Sequence, residues 1–253
     1  MSNAYQSFFK MEFKALLREP VTLFFMIILP IILTIVFGGA FGSEITSYGE
    51  NVLGIDTVVP VNIVFLLANV GLMGIPITVI ELKDQDVIKR YITYPIKYKT
   101  YFLSLMSVFS FVSLLSTLLF AAISFLFYGA TWYMTISDVA IFILLYIAMI
   151  VIFDGIGFLI ALLIKSSRTA SMVTSGIFLT LIFTSGVALP VDSLPSIAQK
   201  IAYAFPMYHC IEVVQMLWIS EFVFTDLLNH LSYIFVTTVT LMLFLGRVRV
   251  KWD

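Results

Sequence analysis

Apolar residues run along this chain in six long stretches, roughly 21–43, 58–80, 101–128, 136–164, 170–190 and 227–245. About 20 mainly apolar residues in a helix cross the ~30 Å hydrocarbon core of a bilayer. Each stretch is therefore predicted to be a membrane-spanning helix. Residues 5–18 show a different pattern. Tyr5, Phe8, Phe9, Phe13, Leu16 and Leu17 recur at helical spacing, with Lys10, Glu12, Lys14 and Arg18 between them. That is an amphipathic helix suited to lying on a membrane surface, and Pro20 fits the first turn of span 1.

Composition changes the picture by exclusion. Hydrophobic residues make up 61% of the 253 and charged residues only 11%, where soluble domains run nearer half and a quarter. A soluble enzyme, a disordered chain and a disulfide scaffold are excluded, and no basic surface is available for nucleic acid. The single Cys210 rules out an internal disulfide or a Cys-rich metal site.

The charges that are present divide unevenly. Lys10, Lys14 and Arg18 precede span 1; Lys83, Lys89, Arg90, Lys97 and Lys99 follow span 2; Lys165 and Arg168 follow span 4; Arg247, Arg249 and Lys251 follow span 6. These alternate connections hold all the basic residues except Lys200. The positive-inside rule then predicts both termini in the cytoplasm, and an even span count requires the termini to share a side. Glu44, Glu50, Asp56, Asp138, Asp192, Glu212, Glu221 and Asp226 fall on the outer side.

Within the spans a few residues break the apolar pattern. Gly38 and Gly42 form a small-xxx-small pair that permits close helix approach. Asn62, Asn69, Met73 and Pro76 share one face of span 2, either as helix–helix hydrogen-bonding groups or as a cavity wall. Asp154 is the one acidic residue well inside a span, suited to bonding a neighbouring helix or to ion coupling. The connection 81–100 mixes both charge signs with the apolar strip Val87, Ile88, Tyr91 and Ile92, as a docking helix would. Between spans 5 and 6, two short amphipathic helices are expected around Leu194–Ile201 and Met207–Trp218. They fit a re-entrant outer hairpin or a surface cap. His209 and His230 lie at the outer boundary without a catalytic partner set, and no G-x-x-x-x-G-K-[ST] or H-E-x-x-H motif is present.

Two segments carry a family resemblance. Residues 183–209 hold Ser185-Gly186, Pro190, Leu194-Pro195 and Phe205-Pro206, and the connection 81–103 begins at Glu81 and turns at Pro95. This resembles the transmembrane subunit of ABC-2 type transporters, in its drug and peptide branch. The helix in the connection lacks the glycine often found there, having Asp86-Val87 instead. The resemblance implies an all-α fold of six transmembrane helices, an N-terminal interfacial helix and an outer re-entrant hairpin. It implies a non-enzymatic permease in the cytoplasmic membrane, paired with a second copy or a paralogous permease. Two copies of a separate ATPase subunit would bind ATP and Mg. Coupling to that ATPase would fall to Glu81, Lys83, Asp84, Asp86, Lys89 and Arg90. Asn62, Asn69, Met73, Thr180, Phe183 and Thr184 would be substrate-pathway candidates. Ser185, Gly186, Pro190, Pro195, Phe205 and Pro206 would form the outer gate. The expected cargo is a hydrophobic or amphipathic drug, lipid-like molecule or membrane-active peptide. The alternatives are a polysaccharide-lipid or sodium, or a secondary transporter driven by an ion gradient.

Overall fold

The structure, a computed structural model, describes residues 2–46, 49–84, 98–164, 166–220 and 222–247. In chain order come α1 (Ser2–Leu16), α2 (Pro20–Phe41), a small hairpin of β1 (Ile45–Thr46) and β2 (Gly49–Leu53), α3 (Gly54–Asp84), α4 (Tyr98–Phe127) and α5 (Ile136–Leu163). Then follow α6 (Ser167–Thr184), α7 (Ser196–Ala204), α8 (Pro206–Ile219) and α9 (Phe224–Arg247). Helices α2, α3, α4, α5 and α9 are long and apolar enough to cross a membrane. Helix α6 is shorter, at 18 residues, and carries Arg168 with seven Ser or Thr. It ends at Thr184, short of the expected 190. At ~1.5 Å per residue it is about 27 Å long, close to the hydrocarbon thickness. The strand hairpin was not expected from the sequence.

Proline shapes two of the spans. In α2 the helix widens to a π turn over Phe24–Ile28, with the Leu29 N–H bonded to the Phe24 carbonyl, and Pro30 follows. In α3 it widens over Val70–Gly74, with the Ile75 N–H bonded to the Val70 carbonyl, and Pro76 follows. A proline removes an N–H and pushes its ring at the carbonyl four residues back. Widening the preceding turn lets the helix continue past it.

Helix α3 is the centre of the protein, packed against α2, α5, α6 and α8. Its closest approach is to α5. A side chain on Gly71 would run into the Phe153 carbonyl carbon and lie 2.7 Å from the Asp154 nitrogen, and one on Gly157 would collide with the Gly71 carbonyl oxygen. Bare backbones meet there, the arrangement small residues permit between membrane helices.

The end opposite α1 is tied by buried carboxylates. Asp56, fully buried, accepts from the Leu53 N–H at 3.0 Å and the Thr131 N–H at 2.7 Å. It thereby caps α3 and holds the α4–α5 connection. Asp138 accepts from the Thr135 N–H at 2.9 Å, the Thr135 hydroxyl at 2.7 Å and the Ser220 hydroxyl at 2.9 Å. It joins the start of α5 to the end of α8, where Ser220 turns the chain in the left-handed region.

Candidate functional site

At the α1 end, the amphipathic helix is docked on α4 by its polar groups as well as its aromatic ones. The Tyr5 hydroxyl donates to Ser107 Oγ at 2.8 Å, and the Ser104 hydroxyl to the Tyr5 carbonyl at 3.0 Å. The Tyr101 hydroxyl donates to Glu12 Oε1 at 2.8 Å. The Phe8 ring meets Tyr101 edge-on, and Phe9 and Phe13 both meet Phe111 the same way. Burial pushes the Glu12 carboxyl above its ordinary value; the Tyr101 hydrogen bond opposes this and the nearby Glu19 adds to it. Glu19 also acts on Glu81. The end of α1 and the start of the 81–100 connection thus share one acidic neighbourhood.

Of the coupling candidates, Glu81 and Asp84 lie exposed in the last turn of α3, with Lys83 half-buried between them. Asp86, Lys89 and Arg90 lie outside the described residues, as does Pro95.

The pathway candidates separate into two groups. Asn62 and Asn69 are buried within the protomer. The Asn62 amide donates to the Pro30 carbonyl and to Thr34 Oγ1, both at 2.8 Å, so it fastens α3 to α2. The Asn69 amide points at the Met73 sulfur 3.9 Å away, one turn along the same face. On α6, Thr180 and Phe183 face out of the protomer while Thr184 faces in. Both threonines donate to their own helix, to the Gly176 and Thr180 carbonyls. Exposed apolar residues of α6 (Met172, Leu179, Phe183) and of α2 (Phe25, Ile32, Val36) leave both helices with an uncovered face. Asp154 is buried at the α3–α5 crossing, and its Oδ2 has no hydrogen-bond partner among the described residues.

The outer-motif residues act first as chain reversals. Ser185 closes α6, and Gly186 takes φ +92°, where a side chain is strained, as the Ala188 N–H returns to the Ile182 carbonyl. After Pro190 a short turn at Val191–Ser193 leads to Pro195, which precedes α7, and Phe205 precedes Pro206, the first residue of α8. Helix α8 is packed into the protein along most of its length. Met207, Cys210, Ile211, Val213, Val214, Leu217 and Trp218 are buried against α3, α5 and α9.

One feature of this region was not foreseen. His209 Nδ1 lies 2.8 Å from His230 Nδ1, joining α8 to α9. His209 Nε2 lies 3.1 Å from the Tyr203 carbonyl, its ring stacks on Tyr233, and the Tyr233 hydroxyl donates to the Ala204 carbonyl at 2.7 Å. Burial lowers the His209 pKa, with the Tyr203 contact opposing. No local periodicity signals the pair, because its members sit on different helices.

Apolar spans braced by buried amides and carboxylates, with an interfacial helix docked beside the connection after α3, define an all-α membrane protein. The family profile described as ABC-2 type transporter matches residues 3–219, and the chain belongs to that family. It is thus a multi-pass membrane subunit of an ABC transporter, itself non-catalytic and associated with an ABC ATPase. A search of curated proteins finds no match to this chain.

Proposed function

We propose that the chain is the permease subunit of an ATP-driven exporter for a hydrophobic or amphipathic cargo: a drug, a lipid-like molecule or a membrane-active peptide. It crosses the cytoplasmic membrane six times, with α6 as the fifth span and both termini inside. Two copies line the pathway, and two ATPase subunits bind ATP and Mg beneath them. The observation that carries this reading is the brace between α1 and α4. The connection after α3 feeds directly into α4, so a push delivered there moves α4 and the interfacial helix together.

The mechanism is alternating access. Nucleotide-driven approach of the ATPase subunits displaces the 81–100 connection of each permease. The α1–α4 unit carries that displacement to the short link before α2. The uncovered faces of α2 and α6 meet their counterparts in the second copy, so tilting the spans opens or closes the space between copies. On the outer side, α7 and α8 form the re-entrant gate. The aromatic content, and the absence of an intramembrane basic cluster for a phosphate group, support a largely apolar cargo.

The test is reversal of charge in the connection. Lys89→Glu with Arg90→Glu is expected to abolish co-purification of the ATPase while membrane insertion stays normal; undiminished co-purification refutes the docking assignment. The Asp154 Oδ2, without a hydrogen-bond partner among the described residues, favours one rival, an ion-coupled transporter. If Asp154→Asn stops transport at normal partner ATPase turnover, that rival gains. Uptake by inverted vesicles that follows ATP and ignores the ion gradient excludes it.

A further inference from the structure

We infer that the cleft between α4 and α5 is a binding site for one acyl chain of an anionic phospholipid, whose headgroup is held by Lys10 and Lys14 of α1. The inference needs only that these helices lie in a membrane, and it is independent of the direction or cargo of transport.

The cleft has a volume of about 620 Å³, and its walls include Phe9, Ser107, Phe111, Leu118, Ile143 and Ile147. Phe111, Leu118, Ile143 and Ile147 are all exposed, so the cleft opens outward from the protomer between two spans. A cleft open at that depth faces acyl chains rather than water. Its length selects a single leaflet. Helix α4 has 30 residues, about 45 Å at ~1.5 Å each, against a ~30 Å core. Its first turns, where Tyr101 and Ser104 hold α1, therefore lie at the interface. From Ser107 to Leu118 the cleft runs about 16 Å along the helix, roughly half the core. At its far side the Thr117 and Tyr146 hydroxyls meet at 3.1 Å and bridge α4 to α5.

Charge selects the headgroup. Phe9 forms the α1 wall of the cleft, and Phe13 stacks one turn beyond it on the same face. Lys10 and Lys14 follow these two aromatics directly in sequence and are exposed, which places cations around the helix from the apolar flank. A phosphodiester seated beside α1 meets both ammonium groups while its chain runs into the cleft along the wall that the touching Phe9 and Phe111 rings form. An interfacial basic residue contributes measurably to anionic-lipid affinity, and two together amount to about thirtyfold.

Native mass spectrometry of the purified full chain, titrated with phosphatidylglycerol and separately with phosphatidylcholine, tests the site. Phosphatidylglycerol is expected to bind about thirtyfold more tightly, and Lys10→Gln with Lys14→Gln should erase the preference while leaving phosphatidylcholine binding unchanged. Leu118→Trp with Ile147→Trp fills the cleft and should remove the tight binding event for either lipid. A phosphatidylglycerol carrying a photoreactive group near the end of its acyl chain should label the peptide containing Leu114. Equal affinity for the two lipids in the unaltered protein overturns the inference. So does retention of tight binding in the filled variant, or disulfide capture of an Ile143→Cys variant by a second copy across this face.

Discussion

Replacing Gly71 with Ala should separate the two helices that hold the centre of the protein together. The added Cβ would lie 2.7 Å from the Asp154 nitrogen and closer still to the Phe153 carbonyl carbon, against an ordinary contact of 3.4 Å or more. Both obstacles are backbone, so no side chain can swing away. Relief requires α3 and α5 to part by at least about 0.7 Å along the whole contact, the gap between those two distances. Packing lost by Val70, Leu72, Met149, Ile152 and Phe153, all buried beside it, adds to the cost. Overpacking of this kind destabilises by about 1–3 kcal/mol, sometimes more, and exceeds the ~1 kcal/mol that alanine gains over glycine in a helix. Gly155 supplies the control, two residues from the crossing residue Phe153. Its Cβ would meet only Leu245 Cδ1, at 3.2 Å, the end of a side chain that can move. Thermal unfolding of the purified protein in one detergent, followed by tryptophan fluorescence, compares the two. Gly71→Ala should lower Tm by several degrees while Gly155→Ala leaves it unchanged or raises it. If Gly71→Ala is as stable as Gly155→Ala, the close crossing is not what holds α3 to α5.

Asn62→Leu removes both hydrogen bonds to α2 and should cost ~0.6–1.7 kcal/mol, the range for interhelical bonds in membranes; unchanged resistance to SDS unfolding would contradict it. A 2.8 Å contact between His209 and His230 needs one ring to donate and the other to accept, so the two cannot both be cations. Because burial lowers the His209 pKa, the unfolded chain takes up protons more readily. Stability should be fully present above the ordinary histidine pKa of ~6.5 and fall as pH drops through it. His209→Phe should flatten that fall, measured as Tm against pH. Gly186→Ala places a side chain at φ +92° and should destabilise by about 1–2 kcal/mol, seen as faster proteolysis at the α6–α7 connection; equal digestion rates would refute it.

What could be read in advance followed from local pattern. Periodicity located α1, the long spans and the short helices around Leu194–Ile201 and Met207–Trp218, because each is specified by residues three and four apart. The hidden part lies in contacts across the chain. Asp56 reads in sequence as one more outer acid, yet it serves a backbone N–H 75 residues away. The His209–His230 pair and the Tyr101–Glu12 bond, 21 and 89 residues apart, leave no periodic trace. Pro76 announced a disturbed helix, but not that the disturbance would be a widened turn. Asn62 shows the limit for the site itself. Two roles suited a buried amide, and only the position of the Pro30 carbonyl distinguishes them.

The two widened turns acquire a meaning from where Asn62 ties α2 to α3. In α2 the π turn at Phe24–Ile28 lies between α1 and the tie, and in α3 the π turn at Val70–Gly74 lies between the tie and the 81–100 connection. Each wide turn holds one residue more than an α turn and sits just before a proline, so the regular α hydrogen-bond ladder is interrupted there. Both spans are thus jointed on the same side of a shared rivet. At the rivet the two helices are fastened to each other through Asn62, and on the α1 side each has one place where its backbone ladder is already interrupted.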